Sequence, residues 1–226
     1  MLIVLEGLDG AGKSTQVRML KEYLTERLGS LEYIHFPRYN APVYGDLISR
    51  FLRGEFGDNT QVHPQLVALL FAEDRHGAVP QMRDALESGK TVLLDRYVYS
   101  NIAYQCAKLQ DRKERRQLRD WIFHTEYEVF DLPEPTLNLF LDVPIGFVEQ
   151  SLSQSRAGTD RQYLEGARDI HEADIAFQTQ VRDIYRQEAA RDPKFRRIDC
   201  ADEAGAMLPP EAIFQLVRQT IDPYLP

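Results

Sequence analysis

The chain has 226 residues, 43% of them hydrophobic and 27% charged, with a formal net charge of -8. This size suits one large α/β domain or two small domains, with roughly 70–75% of the unfolded surface buried, and the acidic balance argues against a chain built to coat nucleic acid or anionic lipid. Cys106 and Cys200 are too few for a disulfide framework or a four-thiolate metal site, and the longest apolar run, residues 66–72, is too short to cross a bilayer.

In chain order, short apolar runs alternate with long amphipathic stretches. The N-terminus lacks a basic leader, so a soluble cytoplasmic chain is expected. Residues 2–5 read as a strand. Gly7-Leu8-Asp9-Gly10-Ala11-Gly12-Lys13-Ser14 then fits G-x-x-x-x-G-K-[ST], ahead of a helix over 13–28. The glycines let the backbone curl so that successive N–H groups point at phosphate oxygens. The helix adds its free N-terminal donors and positive dipole end. Lys13 can reach the β- and γ-phosphates and the Ser14 hydroxyl can ligate Mg²⁺. Gly7, Leu8, Asp9, Gly10, Ala11, Gly12, Lys13, Ser14 and Thr15 are the expected ATP-binding residues.

A second strand over 31–36 runs into Pro37-Arg38-Tyr39, and helices are expected over 43–53 and 64–88. A third strand over 91–94 ends at Asp95, where P-loop enzymes place the carboxylate that organises Mg²⁺; Arg96 and Tyr97 follow. Helices over 98–108 and 112–129, a strand over 136–141, helices over 144–156 and 170–191, a strand over 195–200 and a helix over 210–222 complete the pattern. The first, third and fourth strand runs are continuously apolar, as parallel strands covered on both faces are. Strand–helix alternation implies a parallel sheet flanked by helices. No repeat or Gly/Ser linker divides the chain, so one domain is expected over 1–226. Residues 153–168 break the periodicity and carry Arg156, Arg161 and Arg168, a candidate lid beside a phosphate site.

Neither an N-K-x-D nor an L-S-G-G-Q segment occurs, which counts against a GTPase switch and a transporter-type ATPase. Instead Arg38 and Arg96 each follow an apolar strand. A kinase that holds two polyanions together needs cations there.

Six segments, in this order, carry a likeness. They are Glu6-Gly7-Leu8-Asp9-Gly10-Ala11-Gly12-Lys13-Ser14-Thr15-Gln16, Phe36-Pro37-Arg38-Tyr39, Leu70-Phe71-Ala72-Glu73-Asp74-Arg75, Asp95-Arg96-Tyr97-Val98-Tyr99-Ser100-Asn101-Ile102-Ala103-Tyr104-Gln105, Leu132-Pro133-Glu134-Pro135 and Asp169-Ile170-His171-Glu172. On these residues the sequence resembles the thymidylate kinase family. The resemblance implies a P-loop three-layer α/β fold with a five-stranded parallel sheet, a mobile lid over about 153–169, and a homodimer. It implies phosphoryl transfer from MgATP to dTMP, giving dTDP for dTTP synthesis, with no nucleic acid or membrane partner.

By the same resemblance Phe71 stacks on thymine and Arg75 bonds its edge, with Asn101 and Gln105 in the same pocket. Tyr104 sits where a ribose 2′-hydroxyl would clash. Arg38 and Arg96 clamp the acceptor phosphate, and Phe36, Tyr39 and Ser100 join the dTMP set. Lys13, Arg96 and Asp9 act at the reacting centre, Asp9 toward the 3′-hydroxyl, the metal or the acceptor phosphate. One of Arg156, Arg161 and Arg168 supplies further charge from the lid. Ser14, Asp95, Asp9 and Glu172 are the candidate metal residues, with Glu172 placed at the metal or the sugar. His171 stands where relatives often have Tyr, and an imidazole can stack on dTMP or donate to it. The Phe36–Pro37 bond is expected to be cis.

Two other readings compete. A deoxynucleoside kinase would need a base, with Glu6 or Asp9 nominated; two arginines suited to a monophosphate disfavour it. A P-loop binding protein could use a basic helical face of Lys108, Arg112, Arg115, Arg116 and Arg119 on nucleic acid or an acidic partner. Interleaved Asp111, Glu114 and Asp120 make that face an ordinary solvated helix instead.

Overall fold

A computed structural model describes residues 1–154, 159–166, 169–172 and 174–225, the side chains of 159–161 excepted. Its strands are β1 (Leu2–Gly7), β2 (Leu31–His35), β3 (Thr91–Asp95), β4 (Leu137–Asp142) and β5 (Phe195–Asp199). They form one five-stranded parallel sheet in the order β2-β3-β1-β4-β5. The three runs that read as continuously apolar are the three central strands, buried along their whole length. Edge strands β2 and β5 keep solvent-facing residues. Helices cover both faces of the central strands, so no polar alternation survives there.

The strand order decides where chemistry can occur. β1 lies between β3 and β4, and Leu5 pairs with Asp95. The loop after β1 and the turn after β3 therefore emerge side by side at the carboxyl edge of the sheet. Ligands of open α/β sheets bind in that crevice.

The helices are α1 (Lys13–Leu28), α2 (Tyr44–Leu52), α3 (Pro64–His76), α4 (Val79–Glu87), α5 (Val98–Cys106), α6 (Arg112–Phe123), α7 (Ile145–Ser153), α8 (Ile175–Ala189) and α9 (Pro210–Ile221). Three differ from the sequence expectation. The single helix over 64–88 is two, broken at Gly77 and Ala78. Pro80 has no N–H to give a helix interior and sits in the first turn of α4. A Cβ on Gly77 would lie 2.9 Å from the Arg38 guanidinium, so the break also lets that side chain pass. The helix over 112–129 is α-helical only to Phe123 and continues as a π-helical turn, His124–Val129, which carries Glu126 into the interior. The helix expected from 170 begins at Ile175, where the Asp174 carboxylate accepts from the Ala176 N–H at 2.8 Å. Residues 170–172 thereby lie outside the helix, with His171 and Glu172 buried.

A main apolar core fills the space between sheet and helices. A smaller cluster of Ile48, Phe51, Leu52 and Val67, with Tyr39, Phe71, Tyr163 and Ile170 against it, lies under α2 and α3. Among the described residues no helix is long and apolar enough to cross a membrane.

Candidate active site

The loop after β1 forms the floor of one cavity, of about 590 Å³. Gly12 caps α1 with φ 76°, a left-handed conformation open to glycine at little cost. Space around it is empty, so backbone angle and not crowding requires glycine there. Asp9 through Thr15 line this cavity; Gly7 and Leu8, also expected at ATP, do not. Gly7 ends β1 and Leu8 turns fully into the core. Phe147 and Ser151 of α7 form part of the opposite wall.

Asp95, Ser14, Asp9 and Glu172 all face the same cavity. His35 Nδ1 lies 3.1 Å from Asp95 Oδ2, while Oδ1 is buried with no partner. Burial raises the Asp95 pKa, but Lys13 and His35 outweigh it and hold the carboxyl at about 2. Burial and the neighbouring Arg96 push Lys13 below its ordinary value, against the pull of Asp95, Asp9 and Glu6. A buried ionised carboxylate with a spare oxygen beside a hydroxyl is a hard donor set that fits Mg²⁺. No cluster of three or more His, Cys, Asp or Glu suits a metal among the described residues. Mg²⁺ does not require one, since it keeps waters and binds through substrate phosphates with one or two side chains.

A second cavity adjoins the first, and Asp9, Pro37, Tyr39, Arg96 and Tyr163 line both. Arg96 adopts φ 69°, strained for a side-chain-bearing residue. It is held there by Asp9 (Nη2–Oδ1 2.6 Å), Ser100 (3.2 Å) and Tyr104 (3.3 Å). The Tyr104 hydroxyl and the Gln178 amide donate to the other Asp9 oxygen at 2.8 and 3.1 Å. Burial raises the Asp9 pKa, yet Arg96 and Lys13 drive it well below the usual carboxylate range. Asp9 is thus an ionised anchor.

Glu6, fully buried, fixes the same turn from beneath. It accepts from the Tyr97 and Ser100 N–H groups at 2.9 and 3.1 Å, the Ser100 hydroxyl at 2.5 Å and the Tyr185 hydroxyl at 2.9 Å. It therefore caps α5 from another strand, which sequence spacing does not reveal.

The far end of the second cavity is polar in a defined way. Glu126 binds Arg75 twice, at 2.5 and 2.7 Å, and accepts from the Asn101 amide at 2.8 Å. A second Asn101 N–H bonds the Ala68 carbonyl at 2.9 Å. Asn101 Oδ1 and Gln105 Oε1 remain buried without partners. Phe36 and Phe71 supply apolar walls. Every residue expected at dTMP lines this cavity except Arg38. The Arg38 guanidinium turns to Asp74, with Nε–Oδ1 at 3.0 Å and a further bond to the Asp74 carbonyl.

Tyr163, Asp169 and His171 line the same cavity. Tyr163 stacks on Tyr39 with ring centroids 3.9 Å apart, and its hydroxyl donates to Asp169 at 2.6 Å. Arg53 binds the Tyr163 carbonyl, and the Ile170 N–H binds the Leu52 carbonyl. Arg156 and Arg168 lie outside the described residues, as does the Arg161 side chain. His171 is buried among Phe51, Tyr104 and Phe177, with Nε2 unpartnered. Burial and nearby Lys108 push its pKa well down, so the imidazole is neutral. Nothing in the sequence marks Glu126, Tyr163 or Gln178, since a charged residue in a helical stretch and a lone aromatic in a polar loop carry no pattern, and Lys108 is placed only on a basic helical face.

A phosphate loop, a metal-suited carboxylate and a second pocket sharing one arginine define a P-loop nucleoside monophosphate kinase. The thymidylate kinase family model matches residues 5–207. Thymidylate kinase of Mycobacterium tuberculosis is 35% identical over 192 residues, covering 84% of this chain and 86% of the relative. That of Bifidobacterium longum is 32% identical over 212 residues, covering 92% and 93%. The solved structure of thymidylate kinase from Candida albicans superposes with TM-score 0.71 at 28% identity, covering 99% of this chain and 91% of that one. The chain belongs to the thymidylate kinase family.

Proposed function

We infer that the protein transfers the γ-phosphoryl group of ATP to dTMP, giving dTDP. The observation that carries this reading is the pairing at the far end of the second cavity. A cation, Arg75, stands beside the unpartnered acceptor oxygens of Asn101 and Gln105. Thymine offers the complement, a carbonyl next to an N–H. Cytosine would turn its amino group toward Arg75 and its ring nitrogen toward the acceptors, leaving buried groups unpaired.

The acceptor phosphate has a second pKa of about 6 and is a ready nucleophile at neutral pH. No general base is required, and the two carboxylates nominated for that role are committed elsewhere: Glu6 is occupied by four donors and Asp9 is held ionised by Arg96. This disfavours a nucleoside hydroxyl as acceptor. The task is to hold two anions in line and stabilise charge on the group in transfer. Lys13 and the loop N–H groups hold the donor phosphates, and Arg96, between the cavities, meets the acceptor phosphate. Arg38 joins it only by leaving Asp74. One of Arg156, Arg161 and Arg168 adds charge from the lid. Ser14 and Asp95 would hold Mg²⁺, which neutralises phosphate charge when bound. Tyr104 packs against the sugar and excludes a 2′-hydroxyl, while neutral His171 contacts the nucleoside.

At about 70 Å³ the acceptor cavity is smaller than the roughly 300–1,000 Å³ of ordinary ligand pockets. Nucleotide entry therefore requires the Tyr163 segment to open. Leu66 and Leu69 form an exposed apolar stripe on α3, which supports a homodimer through that helix. The function is tested by ADP release with dTMP, thymidine, dCMP and UMP compared side by side. dTMP is expected to give by far the highest kcat/KM; equal or better turnover of any other acceptor contradicts the assignment.

A further inference from the structure

The basic helical face foreseen around α6 has a different geometry in the structure. Lys108 leaves it, its Nζ buried without a partner 4.9 Å from the centroid of the Phe51 ring. Arg112, Arg115, Arg116 and Arg119 instead line a groove of about 680 Å³ between α6 and α8, with Arg191 on its far side. Ile102, Cys106 and Ile184 give the groove an apolar floor. The first two come from α5, whose other residues Asn101, Tyr104 and Gln105 line the acceptor cavity.

Charge in the groove is unbalanced. Buried Glu188 accepts from Arg119 at 2.7 Å and Arg191 at 2.6 Å, and Asp120 accepts from Arg119 at 2.9 Å. Arg115 spends its Nε on the Leu109 carbonyl at 2.6 Å. Arg112 and Arg116 have no ion pair or side-chain hydrogen bond among the described residues. Five guanidinium groups thus face two carboxylates, on a chain whose net charge is -8. Concentrating cations against the overall sign raises the local concentration of anions.

We propose that this groove is a second anion site, which takes the polyphosphate chain of a nucleoside triphosphate with its nucleoside against the apolar floor. Guanidinium forks match phosphate oxygens in geometry as well as charge. Glu188 holds two of the forks in place before any ligand arrives, which lowers the ordering cost of binding. The groove volume is that of an ordinary small-molecule site. A nucleic acid fits less well, because α6 runs for only about 18 Å and the rest of the acidic surface repels a long polyanion.

The test is calorimetric titration with inorganic tripolyphosphate at low salt. The wild type is expected to bind two molecules, one at the P-loop and one at the groove. Lys13→Ala should lose the first event and keep the second. The double variant Arg112→Ala/Arg116→Ala should weaken the second at least about tenfold and leave kcat and both KM values unchanged, with a melting curve confirming its fold. Binding of dTTP at the groove at least as tight as tripolyphosphate supports the nucleotide; weaker binding overturns that part in favour of bare polyphosphate. A single event in the wild type, or a second event unaltered in the double variant, overturns the site. Tighter binding of a single-stranded oligonucleotide than of dTTP, lost in the double variant, reassigns the groove to nucleic acid. Because Lys13→Ala separates the two events, failure here leaves the kinase assignment untouched.

Discussion

Glu126 offers the sharpest test of how the acceptor pocket is held. Its carboxylate is fully buried and binds Arg75 through both oxygens, while one oxygen also takes the Asn101 amide. Glu126→Gln keeps the shape but removes the charge, and it turns an amide donor toward the Arg75 fork or the Asn101 amide. One of three bonds is lost and a buried guanidinium is left uncompensated. Removing one partner of a buried ion pair costs about 3–5 kcal/mol, here a large share of a typical stability of roughly 5–15 kcal/mol. The pocket should loosen with it, since Arg75 and Asn101 lose the group that aims them. The expected result is a KM for dTMP raised at least about tenfold, with kcat and the KM for ATP changed by less than about threefold. The steady-state assay is run at a temperature where circular dichroism shows the variant folded, and urea unfolding measures the stability loss. An unchanged KM for dTMP together with an unchanged urea midpoint would mean that Glu126 does not hold the pocket.

Other outcomes follow from the same geometry. Lys13→Ala should lower kcat by at least about 10²-fold while the far-ultraviolet circular dichroism is retained; near-full turnover would remove Lys13 from the phosphate site. Lys108→Met should stabilise the protein. Burial lowers the Lys108 pKa from 10.5 to about 7, opposed by Asp169, and His171 lies beside it. For a lysine whose folded pKa is depressed, the penalty is full below about pH 7 and disappears above pH 10.5. The urea-derived gain should therefore be on the order of 4 kcal/mol at pH 7 and shrink toward pH 10. A gain that is absent, or that grows with pH, contradicts it. Leu66→Glu places a charge on the exposed stripe of α3 and should shift light scattering from dimer toward monomer; an unaltered dimer would move the interface elsewhere.

Much of the architecture was legible because burial and pattern agree. The three uninterrupted apolar runs are the three central strands, and the loop between β1 and α1 carries its function in its spacing. What escaped depends on contacts distant in sequence. The close passage of the Arg38 side chain beside Gly77, at the break between α3 and α4, is one such contact. The π-helical turn places Glu126 against residues 51 and 25 positions away, and nothing in its local sequence marks that role. Arg38 reads as a phosphate clamp from its position after a strand, yet Asp74, reached only through the fold, takes its guanidinium. Lys108 falls on the basic helical face in a helical projection, but lies beyond the end of α5 at Cys106 and turns inward over Phe51.

In the proposed reaction one phosphoryl group passes from the P-loop cavity to a nucleotide held by Arg75, Asn101 and Gln105. Incubation with ATP labelled in its γ-phosphate and dTMP, followed by chromatography, tests it most directly. Label is expected in dTDP, dependent on dTMP and abolished by Lys13→Ala. Label released only as inorganic phosphate, or dTDP formed equally well by Lys13→Ala, would contradict it.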